Sequence, residues 1–203
     1  PAYLERFLME EWVARRINSA HVLKPCLQTR ERKFLYVATE YIEGQTLAQW
    51  LIDHPKPSLE TVRGIVEQIA RGLQAFHRLE MLHQDLRPNN IMIDGTGTVK
   101  IIDFGATRVA GMAEMSATGD PGDILGTAQY TAPEYFLGEA GTERSDFFSL
   151  AVITYQMLSG RLPYGAEVAK AKTLSAQRKL HYASVLDAGR EIPAWIDAVL
   201  ERA

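Results

Sequence analysis

The stretch His83-Gln84-Asp85-Leu86-Arg87-Pro88-Asn89-Asn90, followed by Ile91-Met92-Ile93-Asp94 and then Ile101-Ile102-Asp103-Phe104-Gly105, constrains this chain more than any other. Asp85 and Asn90 lie five residues apart across Pro88, which keeps the segment between them out of a helix. A loop is therefore expected to carry both. Two apolar runs, Ile91–Ile93 and Val99–Ile102, are separated by Asp94-Gly95-Thr96-Gly97, which is turn chemistry for a small hairpin. Such a hairpin folds Asp103 back beside Asn90. Two oxygen ligands there suit a hard cation such as Mg²⁺ held against phosphate oxygens, leaving Asp85 to accept a proton from an attacking hydroxyl. The pattern points to phosphoryl transfer.

The same residues resemble the catalytic loop and metal-binding turn of eukaryotic-type (Hanks-type) serine/threonine protein kinases, H-R-D-L-x-x-x-N followed by D-F-G. Two further motifs follow in the family's order. Gly126-Thr127-Ala128-Gln129-Tyr130-Thr131-Ala132-Pro133-Glu134 is similar to the G-T-x-x-Y-x-A-P-E that closes the activation segment, and Ser145-Asp146-Phe147-Phe148-Ser149-Leu150 to the start of the buried central helix. The resemblance covers most of the chain from Glu10 to about Pro163. It implies an α+β fold of protein-kinase type: a partial small lobe with the hinge in residues 1–42, and a large helical lobe in 43–203.

What the resemblance implies can be assigned residue by residue. Asp85 positions the substrate hydroxyl and takes its proton, Asn90 and Asp103 hold Mg²⁺, and Arg87 stands where a lysine is common and contacts the transferred phosphate. Thr127 matches the threonine that bridges the catalytic aspartate and that lysine, which favours a Ser/Thr acceptor. Thr39-Glu40-Tyr41-Ile42-Glu43-Gly44 resembles the hinge, where backbone groups near Glu40 and Ile42 bond adenine. Met92 floors the adenine pocket. Glu10 takes the place of the glutamate that pairs with the ATP-orienting lysine. His83 is expected to stack on Phe104 beneath the loop, and Asp146 to anchor the loop backbone. ATP and Mg²⁺ are the implied cofactors, and a protein with a Ser/Thr acceptor is the implied partner.

Departures from the pattern matter as much. Gln84 replaces the arginine that answers an activation-loop phosphate, so weaker dependence on that phosphate is expected. No G-x-G-x-x-G occurs, and the chain starts at the helix that follows the family's lysine strand. The expectation is a fragment, truncated at both ends and inactive alone. Glu134 is expected to be buried without its usual arginine partner, which is costly.

Composition adds limits. The 203 residues carry 22 Lys+Arg against 25 Asp+Glu, a net charge of −3 that gives no reason to propose nucleic acid or an anionic membrane as partner. The single cysteine, Cys26, rules out an intrachain disulfide and suits a reducing, cytoplasmic setting. The apolar run from Phe147 to Leu158 is too short to span a bilayer and reads as a buried helix.

Elsewhere, periodicity predicts an amphipathic helix over Leu4–Ile17 and strands at His21–Leu27 and Phe34–Glu40. Short and long helices are expected over Leu47–Asp53 and from the N-cap Ser58 to about Leu79. Ala166–Leu186 is expected to be helical, and the segment from Ile192 to Leu200 amphipathic. His77 reads as a surface or capping histidine. Thr107, Ser116 and Thr118 are candidate phosphorylation sites. The compact, Ala-rich style looks bacterial. Two other function classes remain open: a catalytically inactive, kinase-shaped binding module, and a small-molecule kinase of the aminoglycoside type.

Overall fold

The computed structural model describes residues 10–26, 34, 36–109, 128–165 and 167–203. Residues 10–16 form a first helix, α1, whose Val13 and Ala14 are buried with Ile17 just beyond it. The predicted residues 4–9 of that helix, Thr127, Ser116 and Thr118 lie outside the described residues.

Two long helices form the framework of the fold. Ser58 caps α3 (Leu59–His77) by accepting the Thr61 N–H, and Val62, Ile65, Ile69, Leu73 and Phe76 form its buried stripe. α5 (Glu143–Ser159) begins in a capping box between Thr142 and Ser145 and ends at Gly160, whose φ of 69° is a left-handed cap. It is buried on nearly every side, so its polar residues need internal partners. Ser149 finds them in the Tyr130 and Ser145 carbonyls. α3 packs on α5, while α2 (Leu47–Asp53) and the short α4 (Pro133–Phe136) lie at other edges of the lobe.

Above these helices lies a three-stranded antiparallel sheet, β1 (Gly44–Thr46), β3 (Ile91–Asp94) and β4 (Val99–Ile101), in the order β1-β3-β4. Its register pairs Ile91 with Ile101 and Ile93 with Val99, and all four side chains enter the core. Thr46 faces Met92 across the other ladder. A two-residue pair joins β2 (Met81–Leu82) to β5 (Arg108–Val109).

Two expectations need correction. The predicted strands around residues 21–27 and 34–40 are reduced to isolated bridges, Pro25 with Thr39 and Val22 with Ile101. Pro25 has no N–H for a ladder, and residues 21–23 instead bond to β4, with Leu23 N–H donating to the Ile101 carbonyl at 2.8 Å. The stretch from Ala166 to Leu186 is not one helix. It holds 3₁₀ turns at Val168–Lys170 and Val185–Ala188 around a single turn, α6 (Leu174–Gln177), because Thr173 and Ser184 bond back to local N–H groups and restart the chain. α7 (Ala194–Arg202) buries Leu200 against the lobe and leaves Trp195 exposed. Asp197 ties it down by accepting from the Tyr182 and Ser184 hydroxyls and the Val185 N–H.

Gly72 shows how closely residues 21–23 sit on α3. A Cβ there would stand 2.9 Å from the His21 carbonyl and 2.9 Å from Ile101 Cδ1. Gly72→Ala gains about 1 kcal/mol of helix propensity but should lower net stability by roughly 1–3 kcal/mol through overpacking. A urea titration reads the sign. An unchanged or raised midpoint would show that the 21–23 segment is not seated as described.

Candidate functional site

The site begins with a buried carboxylate on the first turn of α5. Asp146 is 1% exposed and accepts three hydrogen bonds, from the backbone N–H of His83 (2.9 Å), the backbone N–H of Gln84 (2.9 Å) and His77 Nε2 (2.9 Å). Burial alone would raise its pKa. The His77 hydrogen bond, the His83 ring and the two N–H groups outweigh that and hold it below the usual carboxylate range. Gln84 has φ of 67°, a left-handed conformation that costs a non-glycine residue about 1–2 kcal/mol.

This geometry corrects the expectation for His77. Its side chain is only 7% exposed and faces Asp146, so it is an interior partner of the loop anchor. The distance of 69 residues between the two hid the pairing from local sequence.

His83 is fully enclosed, and burial holds its pKa down, which keeps the ring neutral. Its Nδ1 accepts the Asp85 N–H at 3.3 Å, which leaves the ring proton on Nε2. The expected stacking of His83 on Phe104 is replaced by an arrangement through a third ring. Phe76 meets His83 edge-on at 5.4 Å and Phe104 at 5.7 Å, because α3 carries Phe76 between them.

Beyond Gln84 the loop turns its polar groups to one point. Asn90, 5% exposed, donates from Nδ2 to the Asp85 carbonyl (2.9 Å) and to Asp85 Oδ2 (3.0 Å). Arg87 Nε lies 3.5 Å from the same Oδ2. Asp85 Oδ1 is buried with no hydrogen-bond partner. Burial raises the Asp85 pKa. Arg87, His83 and Asn90 oppose this, and the nearby Asp103 charge adds to the rise. The result is a partly buried carboxylate with one oxygen tethered and one without a hydrogen-bond partner.

The hairpin brings the second motif alongside. Ile102 N–H donates to the Asn90 carbonyl at 3.0 Å, one residue before Asp103. Asp103 Oδ1 accepts the Gly105 N–H at 2.9 Å, while Phe104 is 2% exposed in the core. Among the described residues no group of three His, Cys, Asp or Glu side chains is placed to hold a metal ion. One amide and one carboxylate, Asn90 and Asp103, nevertheless fit Mg²⁺, which keeps waters and substrate phosphates as most of its ligands.

The hinge-like segment gives an unforeseen contact. The Glu40 carboxylate pairs with Lys100 Nζ on β4 at 2.6 Å and accepts the Lys24 N–H at 2.9 Å. Burial opposes ionisation, but Lys100 and Lys24 together lower the Glu40 pKa. Ile42 is half-buried, and Met92 lies on β3 facing away from the core positions Ile91 and Ile93. Glu10 sits half-buried on α1, beside Glu11, which is 8% exposed and pairs with Arg15 at 2.7 Å.

Two candidates change standing. The Thr107 hydroxyl is buried, which removes it as an accessible phosphorylation site in this conformation. Glu134 is half-buried rather than enclosed, and it accepts the Ser145 hydroxyl, so the expected unpaired buried charge is not found.

A model of the protein kinase domain family matches residues 2–198. The chain is 34% identical over 167 residues to the serine/threonine-protein kinase PknA of Corynebacterium glutamicum, covering 80% of this chain and 35% of that protein. It is 36% identical over 167 residues to the serine/threonine-protein kinase drp72 of Corynebacterium efficiens, covering 80% and 32%. With the serine/threonine-protein kinase PknL of Mycobacterium tuberculosis the identity is 33% over 167 residues, covering 82% and 41%. The chain therefore spans 32–41% of the length of these relatives.

Asp146→Ala leaves the His83 and Gln84 N–H groups and His77 without their acceptor, and a loss of about 3–5 kcal/mol is expected. Because the folded-state pKa is depressed, the wild-type contribution is present above the unfolded value near 3.9 and is lost as pH falls through the folded value. Urea melts of wild type and variant between neutral and acid pH check both points. A gap between the two that stays constant down to strongly acid pH would contradict the linkage.

Proposed function

Since the chain belongs to the protein kinase domain family, we propose that it carries the catalytic loop of an ATP-dependent protein serine/threonine kinase. In this reading residues 1–42 belong to the small lobe and hinge and residues 43–203 to the large lobe. The observation that carries it is the Asp85 carboxylate, with Oδ2 held by Asn90 and Arg87 and Oδ1 buried and unpartnered.

Asp85 Oδ1 accepts the proton of a serine or threonine hydroxyl as that oxygen attacks the γ-phosphorus of ATP, and the bond to the β-phosphate oxygen breaks to release ADP. Arg87, whose Nε lies 3.5 Å from Asp85 Oδ2, would supply positive charge to the transferred group. Asn90 and Asp103 would hold Mg²⁺, which neutralises phosphate charge when bound. The Glu40 carbonyl and the Ile42 N–H would face adenine, with Met92 beneath it. Thr127 would bridge Asp85 and Arg87, and Glu10 would orient the ATP-binding lysine. Gln84 brings no charge to answer an activation-segment phosphate, which supports activity with little dependence on one. A cytoplasmic setting, where ATP is abundant, would suit this reaction; among the described residues no helix is long and apolar enough to cross a membrane.

The test is radiolabelled phosphate transfer from ATP and Mg²⁺ to a generic protein substrate, using the product of the complete gene. Asp85→Ala should lower kcat by at least about 100-fold. With Asp85 raised by burial, the acid limb of the kcat–pH profile should lie above the range of a free aspartate near 3.9. Undiminished transfer in Asp85→Ala would remove Asp85 from the role of base.

A further inference from the structure

The Pro133 carbonyl opens α4, a helix of a single turn. In a longer helix the Leu137 N–H would close on that carbonyl; here it donates to the Glu134 carbonyl at 3.0 Å. A donor for Pro133 comes instead from 44 residues later in the chain. Gln177, the last residue of α6, places Nε2 2.7 Å from the Pro133 carbonyl and 3.2 Å from the Ala171 carbonyl. The half-buried amide thereby spends both of its hydrogens on backbone. Ala171 is 3% exposed and follows a 3₁₀ turn whose Val168 is 2% exposed, so one end of this clip is fixed in the core. On its other side α4 is held by the Ser145 hydroxyl, which donates to Glu134.

The residues around Pro133 run beside the catalytic loop. Ser149 Oγ donates to the Tyr130 carbonyl at 2.7 Å, and the Tyr130 hydroxyl donates to Gln156 Oε1 at 2.7 Å. Burial raises the Tyr130 pKa, and the Gln156 bond and the Arg87 charge oppose the rise. Burial raises the Tyr135 pKa too; the Ser145 and Gln84 side chains oppose it, while the Asp146 and Glu134 charges add to it. Gln84 and Arg87 stand on either side of Asp85 in the loop, so both ends of the 130–135 stretch feel its neighbours.

We propose that Gln177 is a positioning residue for the protein substrate: by clipping the Pro133 carbonyl to the Ala171 turn, it fixes the 128–135 stretch on which a chain presenting its hydroxyl to Asp85 would rest. The proposal rests on the kinase reading for the identity of that substrate. In the same reading adenine faces Glu40 and Ile42, and Glu40 is tied to Lys24 and Lys100. Loss of Gln177 should therefore separate protein binding from nucleotide binding. α6 is otherwise a surface element, with Leu174 59% exposed, so the Gln177 amide contributes little to the core.

The experiment uses the product of the complete gene with two substitutions. Gln177→Met keeps the length of the side chain and loses both donors, and Gln177→Glu sets an acceptor against two carbonyls. In Gln177→Met, KM for a generic protein substrate should rise about five- to tenfold, the scale of one lost hydrogen bond, while KM for ATP stays within about twofold. Gln177→Glu should raise KM for the protein further. Deuterium exchange should quicken in both variants across residues 128–138 but not across α3, and the urea midpoint should stay near that of wild type. An unchanged KM for the protein in both variants, a KM for ATP that rises in step with it, unaltered exchange across 128–138, or a clear fall in the urea midpoint would overturn the positioning role. Absence of phosphate transfer by wild type would overturn the kinase reading instead, while the exchange measurement still decides whether Gln177 holds the stretch.

Discussion

A carboxylate removed from water is tolerated only when donors replace its hydration, and Asp146 has three. Two of them are consecutive backbone N–H groups of the loop that carries Asp85. Successive N–H groups of an ordinary extended chain point to opposite sides. Both reach one carboxylate here, and the φ of 67° at Gln84 then sets the direction of the following peptide, which leads into Asp85. The anchor and the left-handed residue therefore act in series, the one holding the loop backbone and the other turning it toward Asp85. Released from Asp146, Gln84 would relax toward the β or αR region, and Asp85, the next residue, would swing with it. The position of the Asp85 carboxylate thus depends on a residue 61 positions later in the chain, delivered by the first turn of a buried helix.

From that anchor, order spreads through hydrogen bonds rather than through apolar packing alone. The His83 ring holds the Asp85 N–H, the Asp85 carbonyl and carboxylate hold Asn90, and the Asn90 carbonyl holds Ile102 beside Asp103. The apolar core supplies the platform beneath. Ile91 and Ile101 are fully buried partners on adjacent strands, and a one-residue slip would expose both and move Asp103 away from Asn90. Lys100 on the same strand reaches Glu40, so β4 also fixes the hinge-like segment. One short strand is consequently tied to three parts of the site.

Much of this was legible before any coordinates. The hairpin between Asp94 and Gly97, the Ser58 cap, the long apolar stripe of α3 and the buried central helix all follow from local chemistry, and the structure has each of them. Local chemistry failed where partners are distant or where a cap competes with a helix. His77 looked like a surface residue because nothing within its own helix hints at a carboxylate 69 residues away. The Glu40–Lys100 pair was invisible for the same reason. The stretch after Ala166 has good helix composition, but Thr173 and Ser184 redirect the backbone through side-chain bonds that composition does not record. Glu134 was expected to need an arginine, and a hydroxyl one turn into α5 is enough because the carboxylate keeps contact with water.

The electrostatics of the loop explain why its groups can be crowded without cancelling. Four titratable side chains, His77, His83, Asp85 and Asp146, lie on or beneath one loop. Were His83 charged, it would pair with Asp85 and draw off the oxygen that is now free. Burial keeps the ring neutral, so it serves Asp85 as a backbone acceptor instead. Asp146 takes the donors of the loop's backbone, which leaves none of those N–H groups to stabilise the Asp85 carboxylate. Asp85 is then stabilised on one oxygen only, by Asn90 and Arg87, and burial raises its proton affinity above that of an exposed aspartate. A base must bind its proton well enough to take it and weakly enough to begin ionised near neutral pH. In the proposed reading, with Asp85 as that base, separating it from the anchoring carboxylate Asp146 would serve both conditions, since each is tuned by different neighbours.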